Sequence, residues 1–336
     1  MRYVGMDVHA RQTTICVLDE HGRKERTWTI HGSWEKVLEA LGEIKGPWSI
    51  CFEASTGYGY LYERLKAMAA GVKVAHPGHL RLIFRSKRKS DRVDAEKLAK
   101  LLFLDEVPAV YVPAQEVRSW RGMIEYRQKL LGERVRTKNA IRALVRHHGH
   151  VAPYRLWTKK GVVWLKGLEF QGGLDALQRD IQVERLESTT RMLRRVEKVL
   201  KERAEKHPGV CLLMDIPGVG IRTAEAVMAY LDDPGRFSGV KAVACYFGMV
   251  PCQDQSSDKN RLGHITRQGP PTVRKLLTEA AWQAIRRDAG IRAYFERIQQ
   301  NSPDRKKIAV VATAHYLLRV MFAMLRTGEH WRASAA

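Results

Sequence analysis

The sequence has few acids for the bases it carries: 36 Asp and Glu against 58 Lys and Arg, a formal net charge of +22. Each Lys or Arg set on a phosphate releases condensed counterions, so this imbalance favours a polyanionic partner, nucleic acid above all. Cysteine is scarce too. The five residues, Cys16, Cys51, Cys211, Cys245 and Cys252, include no CxxC pair, which argues against a zinc site or a disulfide framework. They read as small apolar core residues in a reducing cytoplasm. No apolar leader follows MRYVGMDVHA, unlike a signal peptide. The longest apolar stretch, 308–325, holds His315 and Arg319 and reads as a buried helix, so no membrane is expected. The glycine-rich IPGVG segment lacks a following GK[ST], which excludes a P-loop. No His–Asp pair is spaced for an acyl-transfer triad, and no long-period repeat or low-complexity tract is present.

What is there begins with β-branched and aromatic runs at 2–8, 12–19 and 24–30, which predict three strands. Ser33 then caps a helix to about Ile44, and 48–53 is a fourth strand. A helix over 60–70 ending at Gly71 and a fifth strand at 72–75 follow. Three strands followed by alternating helix and strand predict an α/β unit with a mixed sheet. A helix runs from Ser90 to Leu104. Residues 115–148 and 174–206 have helical period, separated by a break from Gly149 to Gly173. These two long helices suggest an antiparallel hairpin or a coiled-coil dimer arm, with an ordinary bundle as the plainer alternative. Apolar positions Leu174, Leu177, Ile181, Leu186, Met192, Leu193, Val196, Val199 and Leu200 should share one stripe. The remainder is mostly helical.

Four carboxylates stand out. Asp7 lies inside the strand YVGMDVH and Glu53 ends the strand WSICFE. A charge in a strand otherwise fit for burial is costly unless it is paired or binds a metal. Asp91 and Asp94, in KSDRVDAEKLA, are spaced to share one helix face. Together the four could hold two divalent cations suited to phosphodiester chemistry, with Mg²⁺ (or Mn²⁺) favoured by an all-oxygen set. Taken singly, Asp91 could be a helix cap and Glu53 a lysine partner.

Within 118–148, nine Lys or Arg stand against two acids, which favours a nucleic-acid face including Arg134, Lys138 and Arg142. DIPGVGIRTAEAVMAYL, 215–231, reads as a helix-hairpin-helix. Gly218 and Gly220 would admit a phosphate to backbone N–H groups at a helix start. A polar segment, 252–264, reads as a loop joining two apolar stretches. It sets Ser256 and Ser257 among Lys259, Arg261 and Arg267, where cations could offset charge on an attacked phosphate. A plain surface loop is the alternative.

Taken in order, VGMDVH, FEASTGYG, KSDRVDAEKLA, IPGVG, YFGMVP and GHITRQG resemble the DEDD transposases of the insertion-sequence one-ten group, which includes the Piv-type DNA invertases. The resemblance covers nearly the whole chain. It implies a RuvC-like, RNase H-fold catalytic domain over 1–112, a helical or coiled-coil region over 113–207, and a mainly α C-terminal domain over 208–336. YFGMVP is expected to be a strand. The resemblance assigns metal binding and catalysis to Asp7, Glu53, Asp91 and Asp94. It assigns the nucleophile to Ser256, with Ser257 as second choice because glycine is common there. It implies a covalent phosphoserine link to DNA. Further expected nucleic-acid contacts are Arg88, Lys89, Arg92 and Thr266. Implied partners are donor and target DNA, a structured guide RNA, and other copies of the chain in dimers and tetramers. The setting would be a prokaryotic cytoplasm, at the nucleoid when active. Two rival functions remain: a RuvC-like nuclease or Holliday junction resolvase that uses water, and a non-catalytic architectural protein.

Overall fold

Strand alternation sets the first layer. β1 (Arg2–Val8), β2 (Gln12–Leu18) and β3 (Lys24–His31) form an antiparallel meander. α1 (Trp34–Gly42) leads to β4 (Trp48–Glu53), and α2 (Tyr58–Lys66) leads to β5 (Gly71–Ala75). β4 and β5 run parallel to β1, giving the sheet order β3-β2-β1-β4-β5. α3 (Pro77–Ile83) and α4 (Asp91–Phe103) follow. A computed structural model describes residues 1–83, 90–170, 172–256 and 259–332, and the chain divides into units Met1–Arg118 and Ser119–Ala336.

Because successive strand side chains point to opposite faces, each face of the sheet has its own core. Val4, Met6, Ile15, Val17, Ile50 and Phe52 meet Val37, Leu38 and Leu41 of α1 and Leu61 and Leu65 of α2. On the other face Cys16, Leu18 and Cys51 lie under α4 through Ala95, Leu98, Ala99 and Leu102. Gly71 opens β5, whereas the sequence suggested that it ends a helix. α2 stops at Lys66, and Ala70 already donates its N–H to the Trp48 carbonyl of the sheet at 2.8 Å.

In the second unit α5 (Gln115–His147) and α7 (Gly173–Glu205) pair antiparallel, tied by Arg127–Glu197 at 2.6 Å and Arg185–Glu133 at 2.8 Å. The interval 149–173, expected to be only a break, contains α6 (Lys159–Lys166). Thr158 caps it by accepting from the Gly161 N–H at 3.2 Å, and Leu165 packs on Ile141, Val145, Val183 and Leu186. The apolar stripe of α7 splits. Leu186, Leu193 and Leu200 are buried, but Leu174, Leu177, Ile181, Met192 and Val199 are exposed. The buried side is completed instead by Arg179, Val183, Thr189 and Ala204, of which only Val183 is strongly apolar.

α8 (Pro208–Leu213), α9 (Ile221–Leu231) and α10 (Val240–Tyr246) precede a two-stranded antiparallel hairpin, β6 (Pro251–Ser256) and β7 (Lys259–Ile265). α11 (Pro271–Arg287), α12 (Ala289–Gln299) and α13 (Lys306–Thr327) complete the chain. α13 is long and apolar enough to cross a membrane by composition alone. Its Ala309, Val310, Ala314, Leu317, Leu318, Met321 and Phe322 are buried against neighbouring helices, so it is the core helix of this unit. The cysteines divide: Cys16 and Cys51 are buried, Cys211 and Cys245 exposed, and Cys252 intermediate, so the core reading holds only for the first two. Burial pushes the Cys51 thiol up to about 12, which keeps it protonated.

Candidate cation site and nucleic-acid faces

Asp7 sits on the α4 side of β1, opposite Thr14 of β2. The Met6↔Phe52 register brings Glu53 to the position beside it, on the same face. α4 reaches this face because β1 offers no side chain at Gly5. A Cβ there would stand 2.0 Å from the Ala95 carbonyl oxygen and 2.4 Å from the Ala99 N. One helical turn before Ala95 comes Asp91, held at the start of α4 by Ser90, whose hydroxyl accepts from the Val93 N–H at 3.4 Å.

Among the described residues the metal-ligating groups that gather are Asp7, His9 and Asp91, whose ligand atoms all lie within 4.8 Å of one another. His9 Nε2 is 3.2 Å from Asp7 and 3.6 Å from Asp91. Gln12 donates to Asp91 at 2.6 Å. Glu53 and Asp94 lie outside that group. Asp94, in the first turn of α4, is 3.5 Å from Lys97. Burial raises the Asp7 carboxyl above its ordinary range; His9 opposes, and Asp91 and Asp94 add to the rise. A carboxylate held at such cost and faced by two more is what a cation would relieve. Neither His9 nor Gln12 was singled out from the sequence. The available signal was spacing: His9 follows Asp7 by two and Gln12 opens the next strand, across a turn closed by His9 N–H to the Gln12 carbonyl at 2.9 Å.

The donor set fits a hard divalent cation. Two carboxylates suit Mg²⁺ or Mn²⁺, and the imidazole tilts the set towards Mn²⁺.

In the second unit, Arg134, Lys138 and Arg142 follow each other at one-turn intervals on α5. Lys138 Nζ lies 5.0 Å and the Arg142 guanidinium 5.3 Å from the centre of the Trp157 ring. Burial and then the neighbouring Arg134 and Arg142 lower the Lys138 pKa, which marks a crowded cationic face. Gly220 starts α9 with open space at its missing Cβ. Gly218, at φ +88°, is different: a Cβ would meet the Ala284 N of α11 at 2.3 Å. Packing against α11 is therefore enough to require glycine there.

The polar segment 252–264 is the β6–β7 hairpin rather than a loop. Its few apolar side chains gave no strand alternation, and among the described residues none of it joins a buried core cluster. YFGMVP is likewise no strand: it is the end of α10, a turn at Gly248 and the start of β6. The turn interlocks with ITRQG. A Cβ on Gly248 would lie 1.9 Å from the Gln268 carbonyl oxygen, and one on Gly269 2.0 Å from that of Tyr246. Arg274 Nη1 donates to the carbonyls of Phe247, Gln268 and Gly269 at 3.0–3.1 Å, pinning the root of the hairpin. Ser256 ends β6, paired in register with Lys259. Arg261 and Arg267 are exposed, and Thr266 donates its N–H to the Val250 carbonyl at 2.8 Å. Arg92 is exposed on α4. Arg88, Lys89 and Ser257 lie outside the described residues.

Two family models match the chain. A DEDD transposase model covers residues 4–149, and the family described as Transposase IS116/IS110/IS902 covers 210–296. The transposase for insertion sequence element IS1111A of Coxiella burnetii is 23% identical over 100% of this chain and 92% of its own length. That for IS1533 of Leptospira borgpetersenii is 26% identical over 84% of each. The Sinorhizobium fredii protein y4qE is 28% identical over 83% of this chain and 71% of its own length.

Proposed function

The chain belongs to the IS116/IS110/IS902 family of insertion-sequence transposases, enzymes that cut and rejoin DNA, and from that premise we propose that it does so with a divalent cation on the Asp7 face and a serine on the β6–β7 hairpin. The observation that carries the first half is the convergence of Asp7, His9 and Asp91 within 4.8 Å. Glu53 and Asp94, on the same side of the sheet, complete the set for a second ion. The sheet order, with its antiparallel meander and two parallel strands, is in keeping with an RNase H-like catalytic domain. Three folding regions, 1–112, 113–207 and 208–336, are proposed as its working parts.

When bound, the cation supplies positive charge beside the scissile phosphate. Asp7 and Asp91 would hold it from a strand and a helix that Gly5 lets touch. Gln12 orients the Asp91 carboxylate by donating to it, and His9 adds its imidazole nitrogen to the donor set. In the cleavage step a bond forms between the Ser256 oxygen and phosphorus while one bridging P–O bond breaks; in the joining step a hydroxyl of the second strand attacks that phosphorus and the Ser256 oxygen leaves. The serine proton passes to solvent or a nearby base, and the leaving oxygen takes up a proton. Lys259, Arg261 and Arg267 offset charge around the phosphate, and Thr266 and the α9 start at Gly220 hold backbone. The cationic face of α5 supports a structured guide RNA or the duplex arms as its ligand, read through backbone and shape. Assembly of several copies on DNA belongs to the same reading, and the enzyme works where the cell's DNA is.

The test is capture of a protein–DNA adduct after denaturing wild type, Ser256→Ala and Asp7→Asn incubated with labelled element ends and Mg²⁺ or Mn²⁺. An adduct in wild type, absent from both folded variants, is expected. Strand cleavage retained by Ser256→Ala would move the nucleophile to Ser257 or to water, the nuclease reading.

A further inference from the structure

A shallow pocket of about 360 Å³ lies in the same unit as the cation cluster, at the start of α1 and α2, lined by Ala10, Gly32, Ser33, Trp34, Glu35 and Tyr60. Ala10 directly follows His9, so the pocket begins one residue, ~3.8 Å of chain, from the cluster. The Gly32 N–H donates to the Arg11 carbonyl at 3.1 Å, which ties the pocket wall to the turn that carries His9. Trp34 and Tyr60 stack, with ring centres 5.7 Å apart and planes 25° apart. Trp34 is braced from behind: a Cβ on Gly57, at φ +82°, would strike its ring at 2.0 Å. Tyr60 is 43% exposed, so one aromatic face is fixed and another is open to solvent. Glu35 offers a carboxylate at the rim. Its own backbone N–H and the Ser33 hydroxyl hold it below the usual range, and the Tyr60 hydroxyl donates to it at 3.4 Å.

A stacked aromatic pair with a pure acceptor at its edge has nothing to bind on a phosphate backbone. It suits a flat ring with an amino group. From this placement we infer that the pocket takes an unpaired nucleobase carrying an exocyclic amine, from the same DNA strand whose phosphate meets the Asp7–His9–Asp91 cluster. Bases stack on aromatic side chains whatever their identity, and a carboxylate accepts from the cytosine amine. The turn that carries His9 also supplies Ala10 to the pocket, so a strand held at the cluster and a base held in the pocket would be read by one turn. The pocket would thereby hold the strand open and fix which phosphate is presented. The position of that phosphate rests on the proposed cation site; the pocket's affinity for a base does not.

The experiment uses the full chain with a short single-stranded DNA containing 5-iodocytosine, irradiated in the presence of a chelator. Peptide mapping of the cross-link is expected to find Tyr60 or Trp34. Tyr60→Ala is expected to abolish that cross-link and weaken single-strand binding roughly tenfold, while duplex affinity and thermal midpoint stay unchanged. Tyr60→Phe, which keeps the ring, is expected to retain both. Cross-links confined to other residues, or an undiminished yield in Tyr60→Ala, would overturn the assignment. So would capture of an RNA of the same sequence at Tyr60 with no capture of DNA. Because the chelator removes any cation, loss of the cation reading would leave this outcome intact.

Discussion

Gly5→Ala tests whether the contact between β1 and α4 builds the cation cluster. The added methyl would stand 2.0 Å from the Ala95 oxygen and 2.4 Å from the Ala99 nitrogen, both backbone atoms that cannot swing aside. To bring 2.0 Å to an ordinary contact of 3.4 Å the backbones must part by about 1.4 Å, the kind of overpacking that costs roughly 1–3 kcal/mol. At roughly 4 °C per kcal/mol for a unit of this size, the chelated protein should melt about 4–12 °C lower. Cation binding should suffer separately. Oxygen donors lie about 2.1 Å from Mg²⁺, so two on one ion stand at most about 4.2 Å apart. The present cluster, within 4.8 Å, needs only a small adjustment, whereas a withdrawn Asp91 falls out of reach. Wild type should gain about 2.7 kcal/mol at a cation concentration a hundredfold above Kd, and Gly5→Ala little of it. Thermal unfolding with chelator and across a Mn²⁺ titration reads both quantities. The control is Gly122→Ala in α5, where a Cβ meets nothing within 4 Å; it should gain about 0.5–1 kcal/mol and keep the cation response. An unchanged midpoint and an unchanged cation gain in Gly5→Ala would refute the reasoning.

Asp7→Asn should behave in the opposite sense without cation. Burial raises the folded-state pKa of Asp7, so its ionised form opposes folding: stability falls as pH climbs from the unfolded carboxylate range through the raised value, then levels. The variant should flatten that slope and melt higher than wild type at neutral pH in chelator, yet gain nothing from Mn²⁺; a lower chelated midpoint would contradict the assigned cause. Arg274→Ala removes the shared donor of three carbonyls, worth about 1.5–3 kcal/mol for a charged hydrogen bond. It should open 252–264 to limited proteolysis, and cleavage no faster than wild type would show that the interlocked glycines alone hold the hairpin.

Much of the first unit was legible from residues. Runs such as YVGMDV and WSICFE are apolar enough to be strands, and Asp7 and Glu53 stood out inside them because a charge there conflicts with burial. What pattern could not give is which carboxylates meet. That depends on the missing side chain at Gly5, a property of β1 against α4, and on a turn that returns His9 and Gln12 to the same edge. α6 was hidden because its eight residues lie in a stretch punctuated by glycine and proline. The β6–β7 hairpin was hidden because its described side chains are mostly polar and show no alternation of buried and exposed positions. The α7 stripe misled for the converse reason: exposed leucines look like core in a list, and only the partner helix decides.

The pinned root of the β6–β7 hairpin has a consequence for length. Gly248, Gly269 and Arg274 fix where the two strands leave the body, and among the described residues of the strands none joins a buried core cluster. The strands therefore act as a ruler. One residue added to each would carry the tip outward by about 3.4 Å and turn its side chains to the opposite face, whereas two added to each would restore the facing about 7 Å farther out. The reach of Ser256 can thus change only in steps, with every second step facing the same way, while the body that carries it stays as it is.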